Sequence, residues 1–208
     1  AFLQRVDRSP AVGYDRPWHE DFGHTPAVQA PAEERAWCVL MADVQGFATL
    51  MRAGADQPVR QALADTVRRW AVADSISEHR AGDAVLIVAD DPIALAQTAR
   101  HLIDDVYQAP GQPRLRVALH YGPVLTRRRE DDLARVIAGG EAILWASRIE
   151  PVVEPGQIWA TEEFRQQLLQ RPSLWRTVPL DGGDGGGRFD VRKPGSTEAE
   201  LWVNLYRL

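Results

Sequence analysis

Gly82-Asp-Ala-Val-Leu-Ile-Val-Ala-Asp90 is an apolar run bracketed by two aspartates. The run, Ala84 to Ala89, is too short for an ordinary helix and suits a strand buried on both faces. Upstream, Trp37-Cys-Val-Leu-Met-Ala42 has the same character and ends on Asp43. Between the two runs, Val59, Ala62, Leu63, Val67 and Trp70 recur at helical spacing, with arginines on the other side. The segment 73–79 leads directly into Ala84–Ala89 and fits its hairpin partner. Downstream, Leu95, Ala99, Leu102, Ile103 and Val106 mark a second amphipathic helix, and Leu115, Val117 and Leu119 alternate with Arg116 and Ala118. The order is β-α-β-β-α-β. It predicts an α+β, ferredoxin-like core with its helices on one sheet face.

Further elements follow this core. Val136-Ile137 fits a short strand, Glu141 to Glu150 a helix opening after Gly139-Gly140, and Gln157 to Ala160 another strand. Thr161 is placed to cap a helix that stops before Pro172. Leu201, Val203 and Leu205 alternate in a closing strand, and Asp181 to Gly187 (DGGDGGG) has only loop chemistry. Residues 1–35 differ in kind: prolines at 10, 17, 26 and 31 give an extended arm or linker preceding a domain over 36–208. Tyr14, Trp18 and Phe22 could dock that arm on the domain or on a partner.

Composition narrows the function. The 208 residues carry 24 basic and 29 acidic side chains, a formal charge of −5, and 23 of the basic residues are arginine. That balance argues against a nucleic-acid partner. The lone Cys38 excludes an internal disulfide, and no Cys/His set has zinc spacing. No apolar run reaches membrane-spanning length, so a cytoplasmic setting is expected. The chain begins at Ala1 and fits a piece of a longer protein.

The chemistry concentrates at two strand ends. Asp43 closes the first strand and Asp83 opens the third, and in a ferredoxin-like sheet these strands are neighbours. Two converging carboxylates suit Mg²⁺, which takes carboxylate and phosphate oxygens together. Gly46 would let backbone N–H groups approach phosphates. Arg127-Arg-Arg129 beside Glu130-Asp-Asp132 reads as a hairpin tip.

Five ordered blocks carry a resemblance: ADVQGF, GDAVLIVADDPIALAQTA, LRVALHYGPV, GGEAILWASRIEPVVEPGQIWATEEF and the closing LYRL. From Trp37 to Leu208 the chain resembles the class III adenylate/guanylate (nucleotidyl) cyclase catalytic domains. The resemblance implies a homodimer with interfacial sites. It also implies conversion of a nucleoside triphosphate to a 3′,5′-cyclic nucleotide and pyrophosphate, using two Mg²⁺ or Mn²⁺ ions. It places the metal ligands on Asp43 and Asp83, the triphosphate loop on Gln45, Gly46 and Phe47, and the transition-state arginine on Arg148. A basic residue meeting the triphosphate falls on Arg192 or Lys193. Three positions depart from the family. The ribose-orienting asparagine is replaced by Leu144, and the purine-reading pair by His79 and Ile137. Two readings therefore stand: a cyclase with unusual base preference, or a catalytically degenerate cyclase homology domain that dimerises and binds nucleotide as a regulatory module in signal transduction. A scaffold using the N-terminal aromatics is a third.

Overall fold

β1 (Glu33–Val44) is the axis of the sheet. It pairs antiparallel with β3 (Ala84–Ala89) on one side and with β4 (Leu115–Arg128) on the other. β2 (Ile76–Arg80) lies outside β3, as the hairpin reading expects. β6 (Ile158–Thr161) runs parallel to β4, and β9 (Trp202–Arg207) follows it. With β7 (Val178–Pro179) at the edge the order is β2-β3-β1-β4-β6-β9-β7; β5 (Arg135–Gly139) pairs with β4 and β8 (Arg188–Asp190) with β9. This computed structural model describes residues 31–80, 82–128, 134–172, 175–180, 188–191 and 202–208. The aromatic arm, the 181–187 glycine run, the 129–133 tip and the basic residues Arg192 and Lys193 lie outside the described residues.

β1 starts before its apolar run, because Glu33 to Ala36 extend the ladder to β4, where Glu33 stands opposite Thr126. Its apolar residues then divide by parity. Cys38, Leu40 and Ala42 pack beneath α2 (Gln57–Arg69), α3 (Pro92–Tyr107) and α5 (Glu162–Leu169), with Leu63, Leu102 and Phe164 in the same core. Trp37, Val39 and Met41 face the other way and pack with Ala142, Ile143 and Ala146 of α4 (Glu141–Ile149).

The expectation of core helices on one face holds for α2 and α3, while α4, which follows that core in the chain, covers the opposite face. The cause is visible in the strand itself: residues apolar at every position need cover on both faces. Gly140 makes the close approach of α4 feasible. A Cβ there would fall 2.6 Å from Val124 Cα and 2.7 Å from the Pro123 carbonyl oxygen, so a side chain would push helix and strand apart.

Capping fixes where the helices begin. Asp91 accepts hydrogen bonds from the Ile93 and Ala94 amides at 2.9 and 3.3 Å, and Pro92 occupies the first turn. Thr161 caps α5 through its hydroxyl, which also meets His120 Nδ1 at 2.9 Å in the buried space under β4. Both caps set helix starts at the end of the sheet remote from Asp43 and Asp83.

Candidate active site

Asp43 is the penultimate residue of β1, and Asp83 sits in the turn between β2 and β3. The Val44 amide donates to the Asp83 carbonyl at 3.2 Å and ties the two segments together. Burial, and then the Asp43 charge beside it, hold the Asp83 carboxyl above the ordinary carboxylate range. The two acids are therefore in electrostatic contact at one end of the sheet.

A third acid and one cation complete this end. Arg116 stands directly opposite Asp43 in the β1–β4 ladder and donates from Nη2 to Asp43 Oδ2 at 2.8 Å. Its Nε lies 2.8 Å from Glu150 Oε1, a contact of charges without an aligned hydrogen bond. Glu150 opens the short 3₁₀ turn Glu150–Val152 that follows α4, and only 10% of its side chain is exposed. Burial pushes its carboxyl up to about 7; Arg116 opposes that rise, while Asp43 and Asp83 add to it. Asp43 and Glu150 thus share the Arg116 guanidinium, and the nearby Asp83 carboxyl adds to the negative charge.

That surplus negative charge tests the fit to a divalent ion. Among the described residues no set of three or more His, Cys, Asp or Glu side chains is arranged as a metal cage. Two carboxylates with room for outside oxygens are instead what Mg²⁺ or Mn²⁺ accepts when phosphate supplies the remaining ligands. Asp43 and Asp83 fit such ions.

The loop after Asp43 is partly committed to the fold. Gln45 donates its amide to the Arg114 carbonyl at 2.9 Å, and its side chain is exposed. Gly46 precedes α1 (Phe47–Arg52) with φ +72°, and Phe47 is buried at 3% exposure in the helical core. The Phe47 ring therefore anchors the loop from beneath. Arg60 of α2 adds a feature that helix patterning reads only as polar face. Its guanidinium lies 4.8 Å over the Phe47 ring and donates to Asp56 at 2.7 Å. A Cβ on Gly82 would fall 1.3 Å from Arg60 Nη1, so this cation occupies the space a side chain would fill, one residue from Asp83.

Leu144 and Arg148 lie one turn apart on α4, on the flank opposite the buried Ala142, Ile143, Ala146 and Ile149. Leu144 is half exposed, and Arg148 is partly buried. Both are turned from the sheet against which α4 packs. Ile137 of β5 packs beside the Trp37–Val39–Met41 cluster, an apolar role that gives no hydrogen bond to a base. His79 pairs with Val85 in the β2–β3 ladder.

Arg116, Glu150 and Arg60 escaped the sequence reading. Arg116 becomes visible only through strand register, which sets it opposite Asp43.

No protein-family model matches the sequence, and no curated protein matches it. Solved structures do. The adenylyl cyclase CyaB from P. aeruginosa superposes with a TM-score of 0.62 at 14% identity, over 85% of this chain and 95% of that one. The non-canonical dimeric guanylyl cyclase domain of the RhoGC fusion protein from Blastocladiella emersonii gives 0.62 at 18% identity, over 85% and 98%. The guanylate cyclase domain of RhGC from Catenaria anguillulae, solved with GTP, gives 0.59 at 17% identity, over 85% and 98%. This chain has the class III nucleotidyl cyclase fold. These three neighbours are matched over nearly their full lengths, so the likeness to them spans the whole domain architecture. Among the described residues, no helix of this cyclase-fold chain is long and apolar enough to cross a membrane.

Proposed function

We propose that this chain is a class III nucleotidyl cyclase domain that converts a nucleoside triphosphate to its 3′,5′-cyclic monophosphate and pyrophosphate. The observation that carries this reading is the convergence of Asp43 and Asp83 at one end of a cyclase-fold sheet, with Glu150 beside them and Arg116 bridging Asp43 and Glu150.

In this reading Asp43 and Asp83 hold two Mg²⁺ or Mn²⁺ ions. When bound, such ions lower the pKa of an attacking hydroxyl and neutralise a leaving pyrophosphate. Arg116 holds one Asp43 oxygen, so the carboxylate is oriented before any ion arrives. Arg60, held by Asp56, packs against the Gly82–Asp83 turn. The substrate 3′-oxygen forms a bond to the α-phosphorus and loses its proton to solvent, while the bond to the β-phosphate bridging oxygen breaks. Backbone amides around Gly46 and Phe47 face the triphosphate, and Arg192 or Lys193 adds positive charge.

Arg148 stabilises the charge that develops on the phosphoryl oxygens, because a guanidinium presents forked donors and does not deprotonate. Its flank of α4 faces away from this protomer's own sheet, which supports its service to the carboxylates of a second copy. The active unit is then a homodimer. The base preference is unusual, since Ile137 is packed in an apolar cluster and Leu144 has no hydrogen-bonding group. His79 is left as the polar contact to the base. The setting proposed is cytoplasmic, with other domains of a longer protein as regulatory input.

Incubating the protein with each of the four ribonucleoside triphosphates and Mg²⁺ or Mn²⁺ tests this reading; a cyclic nucleotide is the expected product. No turnover of any triphosphate at high protein concentration overturns it. Leu144 and Ile137 favour a second reading, a regulatory module that binds nucleotide without catalysis. Its signature is Mn²⁺-dependent nucleotide binding that is lost in Asp43→Ala while turnover is absent in both.

A further inference from the structure

At the other end of β1 from Asp43, a cavity of about 580 Å³ opens between the start of β1, the segment entering β2, the end of β3 and the β4–β5 hairpin. Arg35, Arg128 and Arg135 line it, with Asp74, Ser75 and Asp90. Arg35 and Asp43 are eight residues apart on one strand, which separates the two sites by about 26 Å.

The arginines here are arranged against their own electrostatics. Arg128 and Arg135 stand directly opposite each other in the β4–β5 ladder. Like charges in that position destabilise an antiparallel pair. Arg128 has no ion-pair partner among the described residues, and Arg135 reaches only the exposed Glu33, at 3.9 Å. Arg35 is paired with Asp90. Three guanidinium groups against the carboxylates of Asp74 and Asp90 leave the lining with one net positive charge, in a chain whose net charge is −5.

The geometry is also pre-set. Arg35 lies 3.6 Å over the Trp37 ring and Arg135 5.5 Å from its centroid. Trp37 is 1% exposed, and its indole N–H has no acceptor among the described residues. The ring face is therefore what this residue contributes, and it positions the Arg35 and Arg135 guanidinium groups. An anion whose oxygens bridge Arg128 and Arg135 removes the like-charge opposition. Phosphate suits this best, because its oxygens match guanidinium forks. The Asp74, Asp90 and Ser75 oxygens accept hydrogens from hydroxyl or amino groups. The volume is that of a small-molecule site.

We propose that this cavity binds a small phosphorylated metabolite of nucleotide size, its phosphate held between Arg128 and Arg135. The proposal does not depend on cyclase activity. The chain's overall negative charge disfavours the polyanionic alternatives, nucleic acid and anionic membrane.

Calorimetric titration of the full chain in EDTA, with AMP, inorganic pyrophosphate and adenosine as probes, tests it. AMP and pyrophosphate should bind and adenosine should not. Arg128→Gln should weaken both phosphates at least about tenfold, the loss of one charge-assisted contact. Arg135→Lys keeps the charge but loses the fork, and should weaken them as well; thermal melts establish that each variant is folded. The Asp43→Asn/Asp83→Asn double variant should bind AMP as the parent does. Absence of binding at millimolar AMP and pyrophosphate overturns the proposal, and so does adenosine binding equal to AMP. Binding that survives both arginine changes but disappears in the double aspartate variant assigns it to the carboxylate end and overturns the proposal too.

Discussion

The two ends of β1 are electrostatic opposites. At the Asp43 end, Asp43 and Glu150 share Arg116 and the Asp83 carboxyl stands beside them. At the Arg35 end, two arginines face each other across a ladder and a third is stacked on tryptophan. A charge surplus of either sign lowers stability unless a counter-ion is supplied, and both ends lie at strand termini where burial is partial. The difference teaches that the strand itself is the insulator. Its middle, Cys38 to Ala42, is apolar on both faces and keeps the two surpluses from neutralising each other.

The sharpest way to break this contrast is Asp43→Asn. Turnover of the preferred triphosphate should fall by about a thousandfold or more, since one carboxylate of a two-ion site is removed; retained turnover would deny that Asp43 holds the ions. Arg148→Ala should lower turnover by about a hundredfold to a thousandfold with a smaller change in KM, as deletion of a transition-state donor does. An unchanged rate would leave Arg148 a surface residue.

Glu150→Gln sharpens the carboxylate end through pH. The folded state holds the Glu150 proton up to about 7, against 4.5 for the free side chain. Between those values the native state binds more protons than the unfolded chain, so stability falls as pH rises. In metal-free buffer the variant should lose that slope, a difference of about 3 kcal/mol between pH 4.5 and 7.5. Identical denaturation profiles for parent and variant would remove Glu150 from the charge balance.

Leu144→Asn should raise turnover, up to about tenfold, by supplying the missing ribose donor. A drop would mean the pocket is shaped around leucine. At the arginine end Arg128→Gln should raise stability slightly, by about 0.5 kcal/mol, because a like-charge pair is relieved. Destabilisation in denaturant titration would show that Arg128 is already paired.

The strand and helix order was readable because Trp37–Ala42, Ala84–Ala89 and the helical repeats each bury through one periodicity. The cover over Trp37, Val39 and Met41 was not assigned, although the unbroken apolar run demanded it. Asp43 and Asp83 stood out because acids at strand ends are chemically conspicuous. Arg116 and Glu150 did not, since one alternates with apolar neighbours and the other ends a helix, and only ladder register joins them. The opposition of Arg128 and Arg135 depends in the same way on which residues a hairpin sets face to face.

The turn of Leu144 and Arg148 away from the sheet has a consequence in counting. If each site draws aspartates from one protomer and the arginine from the other, two different dead variants can repair each other. In a mixed dimer of Asp43→Asn and Arg148→Ala, one interface collects both lesions and the other collects none. Random mixing in equal amounts makes about half of all dimers mixed, each with one of two sites intact. The blend of two inactive proteins should then recover about a quarter of the parental rate.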